Sequence, residues 1–318
     1  MSFLAATSQA EETGNVPKLA DMPVGITSFG ATFHDGAIYV FGGQAGPAHH
    51  YNREEVSQPL YRLPYAEGAE WVALPTKEPA LGPALLSHSS GLIRIGGMQP
   101  QNDPDEEQNM ISVPFVHRFD PATETWSELP DLPEGRSSHD AWIVGDKIYV
   151  AGGWKMRGVG ESSRWSKYVD VLDLSESEPQ WKRIPQPFFR RALAVAILGE
   201  ELFCLGGLDK AGEASLEVDI LNLRTEEWKK GPELPDGPIK GFGLAAAVEN
   251  ADGKLYITGF DGKVHTYTGD GWEKVDELAN GRMFARFVDP PDSSLVILGG
   301  AGKEGRPLAL EFVSGVSE

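Results

Sequence analysis

Ile148-Tyr149-Val150-Ala151-Gly152-Gly153 decides the fold, because five other stretches of the chain repeat its pattern. Each is a short apolar run that ends in a glycine pair or in a near miss of one. The other five cover residues 38–43, 92–97, 202–207, 255–260 and 295–300. A tryptophan near the end of most units recurs with the same period, at intervals of roughly fifty residues. These residues are Trp71, Trp126, Trp181, Trp228 and Trp272. Such a period predicts repeated supersecondary units that bury their faces against one another.

The second unit shows how one repeat is built. Residues 92–95 form an apolar strand, residues 115–120 a strand that enters the turn 121–124, and residues 126–130 an outer strand. With one more strand ahead of 92–95, each unit holds four short strands joined by turn residues. No stretch keeps a 3.6-residue apolar period between helix caps, so the fold class is all-β.

The tandem of apolar run, glycine pair, turn and tryptophan resembles the kelch repeat over nearly the whole chain. Units 2, 3 and 4 carry the turn most clearly, as Phe119-Asp120, Leu172-Asp173 and Leu221-Asn222. The resemblance implies a six-bladed β-propeller of four-stranded blades within residues 11–318. The predicted blades cover about 24–75, 76–130, 131–185, 186–232, 233–276 and 277–313.

The two ends of the chain complement each other. The last unit stops before its tryptophan strand, whereas residues 16–23 match residues 126–133 position for position. We therefore predict that a closing strand at 15–22 completes blade 6. Such a strand would remove two exposed sheet edges and tie the ring shut.

Composition excludes several classes of function. Acidic residues exceed basic ones by 47 − 28 = 19, which argues against nucleic acid or an anionic membrane as the main partner. No apolar stretch approaches the roughly 20 residues that span a bilayer, so we expect no membrane insertion. The chain has one cysteine, Cys204, in a strand, which predicts a buried thiol and neither a disulfide frame nor a cysteine metal site. We expect a monomer without a cofactor.

The start of the chain permits two interpretations. Residues 8–10 have the small-x-small form of a signal cleavage site, and the apolar stretch ahead of them, residues 3–6, is short for a signal core. Residues 1–10 are therefore either a leader or a disordered tail. A leader would make the protein secreted or periplasmic, and we favour that location over the cytoplasm.

Counting back from each glycine pair, a basic residue falls at the equivalent position in four successive blades. These residues are Arg136, Arg190, Lys240 and Arg282, where blades 1 and 2 have Ile26 and Ala80. Together they predict a half-ring of positive charge at the channel mouth that could seat a carboxylate or other anion. Kelch repeats also carry arginine here for structural hydrogen bonding, and that alternative stays open.

The long loop of blade 3 combines aromatic and basic side chains. Trp154, Arg157 and Trp165 lie in this loop. Aromatic and basic side chains together form binding hot spots or platforms for sugars. The alternative is that the two tryptophans only pack locally. Our first hypothesis is therefore a binding platform for an unknown protein or for an anionic, sugar-like ligand. His49-His50 lacks partners at defined spacing, so no metal site is predicted.

The second hypothesis is enzymatic, and whether the protein is an enzyme stays open. Residues 277–282 leading to 295–300 look like the last blade of bacterial sialic acid mutarotases, which are free-standing kelch propellers. By that resemblance, arginines would hold the sugar carboxylate and an acid–base pair would open the sugar ring. The candidates are Arg136, Arg190 and Arg282 for the first role and Glu161, His139 and Asp140 for the second.

Overall fold

Each repeat folds into an antiparallel sheet because tight turns separate its apolar runs. The computed structural model describes residues 17–235, 241–248, 253–291 and 294–313. Blade 1 contains β1 (Gly30–His34), β2 (Ala37–Phe41), β3 (Leu60–Pro64) and β4 (Val72–Leu74). Its one short 3-10 helix is Arg53–Glu55. Blade 2 contains β5 (Ala84–His88), β6 (Gly91–Ile95), the loop hairpin β7 (Met98–Pro100) and β8 (Met110–Ser112), β9 (Val116–Asp120) and β10 (Thr125–Glu128).

The remaining blades repeat this plan. Blade 3 contains β11 (Ser137–Val144), β12 (Lys147–Lys155), β13 (Arg164–Trp165), β14 (Tyr168–Asp173) and β15 (Lys182–Pro185). Blade 4 contains β16 (Ala194–Leu198), β17 (Glu201–Leu205), β18 (Val218–Asn222) and β19 (Trp228–Lys230). Blade 5 contains β20 (Ala245–Val248), β21 (Leu255–Thr258), β22 (Lys263–Tyr267) and β23 (Trp272–Glu277). Blade 6 contains β24 (Arg282–Met283), β25 (Arg286–Val288), β26 (Leu295–Leu298), β27 (Ala301–Gly302) and β28 (Glu311–Val313).

The innermost strands of the six blades form a closed ring. Strand β1 contacts β5, and contacts then run through β11, β16, β20 and β25 back to β1. This order confirms the predicted all-β, six-bladed propeller of four-stranded blades. The hydrophobic core lies between neighbouring blades, because a blade with a neighbour on each face buries both sides of its strands. Strand β2, for example, is buried along its whole length.

Tryptophan side chains show how the ring is closed. Trp126 donates from Nε1 to Pro75 O at 2.9 Å, and Trp181 donates to Pro130 O at 2.8 Å, in each case to the outer strand of the preceding blade. Trp71 of blade 1 makes the same bond to Ala20 O at 3.2 Å. Ala20 therefore occupies, in blade 6, the place that the prolines occupy in blades 1 and 2.

The N-terminal segment is thus the missing outer edge of blade 6. Met22 N donates to Leu308 O at 2.8 Å, and Leu19 and Met22 pack in one cluster with Phe312. Residues 17–22 run beside the chain that leads into β28 without forming a regular strand. The first two residues of the predicted closing strand, like residues 1–10, lie outside the described residues.

The glycine pairs let adjacent blades approach closely. Gly42 has a φ of +69°, and a Cβ built on it would overlap the backbone oxygen of Ala80 in the next blade. That oxygen accepts a hydrogen bond from Gly43 N at 2.9 Å. Both the positive φ of Gly42 and its close contact with Ala80 O require glycine, because a side chain at residue 42 would clash with that carbonyl.

Substitution of Gly42 by alanine should therefore destabilise the protein more than substitution of Gly36. Gly36 has a similar φ, +76°, but a Cβ there would meet nothing within 4 Å. Both variants carry the left-handed backbone penalty of roughly 1 kcal/mol, and Gly42→Ala adds about 1–3 kcal/mol of overpacking. Urea unfolding measures the difference. Equal losses in the two variants would show that the interblade contact is not restrictive.

No helix in the described part of the chain is long and apolar enough to cross a membrane.

Candidate functional site

The predicted arginines lie inside their own blades. Arg136 donates to Val150 O at 2.8 Å and to Tyr168 O at 3.0 Å, and its guanidinium lies 3.0 Å from the Asp170 carboxylate. Arg190 makes the equivalent set of bonds one blade later. Its partners are Cys204 O, Glu217 O and the Asp219 carboxylate. Each arginine therefore joins the first, second and third strands of one blade.

Arg282 follows the same plan in blade 6. Its guanidinium bonds to the Glu311 carboxylate and to Ala309 O, which are the blade 6 equivalents of Asp170 and Tyr168. Burial lowers the pKa of Arg282 to about 10, so the side chain stays cationic at neutral pH. Blade 2 has Ala80 at this position, and Arg94 fills the same space from β6, bonding to Phe115 O at 3.1 Å. The structure thus places these arginines as internal braces of the blades.

The fourth predicted cation, Lys240, lies outside the described residues. Backbone bonds also show that it is one residue away from the equivalent position. Gly97 N donates to Arg136 O at 2.8 Å and Gly153 N to Arg190 O at 2.8 Å, whereas in the next blade Gly207 N donates to Gly241 O at 2.6 Å. Gly241 is therefore the blade 5 counterpart of the arginines.

The structure brings Trp154, Trp165 and Arg136 together at a cavity of about 680 Å³. This loop-face cavity opens on the face that carries the loops after the glycine pairs. Strand β12 runs straight through its glycine pair to Lys155 and pairs there with β13, which sets Trp154 opposite Trp165. The other lining residues are Glu134, Gly135, Lys155, Arg164, Ser166, Lys167, Tyr168, Asp170, Arg183, Phe189 and Lys210.

The lining of the loop-face cavity is strongly basic in an acidic protein. Arg136 and Arg183 share one carboxylate, Asp170, at 3.0 and 3.3 Å. Four further cations have no ion pair among the residues that the structure describes, and only Glu134 stands against them. They are Lys155, Arg164, Lys167 and Lys210. Unpaired cations around a concave surface attract an anion.

Aromatic rings lie next to these charges. The ring centroids of Trp154 and Trp165 are 5.5 Å apart, and Arg191 Cζ lies 4.4 Å from the Trp154 ring. Lys210 Nζ lies 3.6 Å from the centroid of the Phe189 ring. Cation–π contacts of this kind hold the basic side chains over flat apolar surfaces. The cavity therefore offers both charge and stacking area.

Sequence reasoning found only the half of this site that Arg136 and the blade 3 loop form. The run of Trp154, Lys155, Arg164 and Trp165 marks it in the sequence, because aromatic and basic residues alternate in one long loop. The other half comes from three separate places. Arg183 projects from β15, Phe189 precedes β16, and Lys210 lies in the blade 4 loop. No spacing in the sequence links these three residues to the loop.

The remaining predicted site residues are dispersed. Arg157 forms an ion pair with Glu161 at 2.9 Å and does not line the loop-face cavity. His139 is buried against Gly96 of the preceding blade, and burial lowers its pKa to about 3, so its imidazole is neutral. Asp140 lies in the central channel, where it pairs with Arg286 at 3.0 Å. The acid–base candidates of the enzymatic hypothesis therefore occupy an outer loop, a blade interface and the channel.

The described residues form neither a metal-binding cluster nor a reactive thiol. No group of three or more His, Cys, Asp or Glu side chains among them is placed to hold a metal ion. Cys204 is buried in β17, and burial raises the pKa of its thiol far above the ordinary value. A buried neutral thiol is chemically inert.

Comparisons with known proteins agree with this architecture. The family model described as Kelch motif matches residues 190–235. Beta-scruin of Limulus polyphemus is 26% identical over 68% of this chain and 23% of its own length. Human Kelch repeat and BTB domain-containing protein 12 is 25% identical over 74% of this chain and 38% of its own length. Human Kelch domain-containing protein 10 is 26% identical over 77% of this chain and 54% of its own length.

The chain thus spans about a quarter to a half of the length of these curated relatives. The solved structure of YjhT matches with a TM-score of 0.72 over 92% of this chain and 95% of the YjhT chain. Its identity of 20% is too low to carry more than the fold. The repeat pattern, the six closed blades and these matches agree: the chain is a six-bladed β-propeller with a kelch motif at residues 190–235.

Proposed function

We propose that this propeller is a binding platform whose loop-face cavity takes an anionic, sugar-like ligand. The observation that carries the proposal is the set of four cations without an ion pair in the described residues, placed around two tryptophans. Carboxylates bind such cations by charge-assisted hydrogen bonds, and sugar rings present flat apolar faces that lie on indole rings. A cavity of about 680 Å³ is of the size that small ligands use.

This proposal differs from the expected half-ring in the residues that carry it. Arg190 and Arg282 are buried and form ion pairs with Asp219 and Glu311 in their own blades, so they are not assigned to the ligand. Lys155, Arg164, Lys167 and Lys210 take over the role of anion recognition. Trp154 and Trp165 keep the role proposed for them from the sequence, whereas Arg157 pairs with Glu161 outside the cavity.

Titration with N-acetylneuraminate tests the site, with N-acetylglucosamine as the uncharged control sugar. The double variant Lys155→Ala/Lys167→Ala should weaken binding of the acid at least tenfold, since each charge-assisted hydrogen bond is worth about 1.5–3 kcal/mol. Trp165→Ala should weaken it as well, through lost stacking area. Binding should also fall with added salt, because surface charges are screened.

The matched control removes two cations elsewhere. Lys182 and Lys229 lie on the outer strands β15 and β19, so Lys182→Ala/Lys229→Ala makes the same change in net charge away from the cavity. The affinity of this control variant for N-acetylneuraminate should equal that of the unmodified protein. A glutamate-rich peptide is a second probe, because an acidic protein segment offers the same carboxylates. If neither probe binds, or if both double variants weaken binding equally, the assignment is wrong.

A further inference from the structure

Six equivalent residues lie at one level of the innermost strands. Each belongs to an innermost strand and pairs with the residue immediately before a glycine pair or its equivalent. They are Gly30, Ala84, Asp140, Ala194, Ala245 and Arg286. Four of the six are glycine or alanine, and the other two carry opposite charges. Because blades 3 and 6 face each other across a six-bladed ring, Asp140 and Arg286 stand on opposite walls.

The two charged side chains meet across the channel. Arg286 Nη1 lies 3.0 Å from Asp140 Oδ1, and Arg286 Nε donates to Phe29 O at 3.0 Å. The second carboxylate oxygen of Asp140 accepts from Val195 N at 3.0 Å. Asp140, Arg286 and their two backbone partners form one bridge. It links blades 1, 3, 4 and 6 and forms a floor within the channel.

Backbone contacts between neighbouring blades lie between this floor and the loop face. Two residues before each of the six positions, the backbone takes a positive φ, and backbone hydrogen bonds join these residues at four of the junctions between blades. Gly82 donates to Ser28 O, Ala192 to Ser138 O, Gly243 to Ala192 O and Phe284 to Gly243 O. This backbone ring narrows the channel, so the space on the other side of the floor opens toward the opposite face.

That space is a cavity of about 650 Å³, which we call the channel cavity. Most of its lining residues have apolar side chains and belong to innermost strands. They include Phe33, Leu86, Trp142, Ile143, Ala246 and Phe287. The volume suits a small molecule, and the walls favour one with an apolar body.

Arg286 is the cation that this cavity presents at its closed end. Its side chain is 24% exposed, whereas that of Asp140 is 9% exposed and has both oxygens bonded. Two of the five guanidinium N–H groups are used in the bonds to Phe29 and Asp140, so donors remain for a ligand.

We propose that the channel cavity binds a small monocarboxylic acid with an uncharged apolar body. The carboxylate pairs with Arg286 at the floor, and the body lies along Trp142, Ile143 and Phe33. This site is on the opposite side of the floor from the loop-face cavity and is independent of the ligand proposed there.

The test uses 4-phenylbutyrate and its uncharged analogue 4-phenylbutanamide, with binding followed by calorimetry or ligand-observed NMR. The acid should bind at least tenfold more tightly than the amide, because only the acid forms charge-assisted bonds. Ala246→Phe should weaken binding of the acid at least tenfold, because the larger side chain fills the cavity and changes no charge. Trp165→Ala, in the loop-face cavity, should leave this binding unchanged.

A second variant guards against loss of folding. Asp140→Asn/Arg286→Gln removes both charges together, so neither is left buried without its partner, and it should abolish the preference for the acid over the amide. The proposal is overturned if the acid does not bind at millimolar concentration, if acid and amide bind equally, or if folded Ala246→Phe binds the acid as the parent does. Weakening by Trp165→Ala would place the probe at the other cavity and would also overturn it.

Discussion

Replacement of Arg190 by methionine is expected to lower the free energy of unfolding by about 3 kcal/mol, which is large for a single substitution. The side chains of Arg190 and Asp219 are each only 3% exposed, so the variant leaves a buried carboxylate without its closest cation. Lys230 Nζ stays 2.9 Å from the other Asp219 oxygen, which keeps the loss near the lower end of the range for a broken buried pair. The carbonyls of Cys204 and Glu217 also each lose one hydrogen bond.

Arg224→Met is the matched control in the same blade. Arg224 and Glu200 are 72% and 68% exposed and 3.5 Å apart, so removal of this pair should change the free energy of unfolding by less than about 0.5 kcal/mol. Urea unfolding followed by tryptophan fluorescence measures both variants. If Arg190→Met proved as stable as Arg224→Met, the bonds within the blade would not be stabilising. Arg190 would then again be a candidate for ligand binding.

A chain that begins at residue 24 is expected to be far less stable than one that begins at residue 17. The shorter chain loses Met22, which is 2% exposed, and one buried Met→Ala change alone costs about 2–5 kcal/mol. It also loses the acceptor of Trp71 Nε1 and the partner of Leu308. Blade 6 would keep an unpaired edge, and such edges pair with other chains.

Thermal unfolding and size-exclusion chromatography together test this ring closure. The chain from residue 24 should melt at a clearly lower temperature and should form larger species as its concentration rises. Met22→Ala serves as an intermediate case, because it removes one side chain and keeps the backbone edge. Equal melting temperatures for the chains from residues 17 and 24 would mean that the segment does not hold blade 6 against blade 1.

Much of the fold could be predicted because its cause is local and repeated. A glycine that packs under the next blade recurs wherever a blade recurs, as at Gly42 and Gly43. The closing segment was predictable for the same reason, since Ala20 holds the place of Pro130 in the repeat. The loop tryptophans were predictable as a cluster, because β12 continues past its glycine pair and pairs with β13.

The candidate sites depend on which distant residues meet. The repeat aligned Arg136 and Arg190 correctly, but their charges are neutralised by Asp170 and Asp219 on another strand of the same blade. Lys210 joins Trp154 only because blades 3 and 4 are neighbours. Which residues pair depends on the geometry between blades and on which carboxylate lies near each cation. Neither can be predicted from the sequence of a single repeat.

The sequence by itself determined the number of blades, their order and the way in which the two ends of the chain meet, because each of these follows from contacts that one repeat makes with the next. Only the tertiary structure decided which cations are braces and which face a cavity. It also decided that Asp140 and Arg286, 146 residues apart, meet across the axis. The physical reason is that a cation is available to a ligand only if its side chain stays exposed and keeps donors beyond its own ion pair, and the packing of the blades decides both.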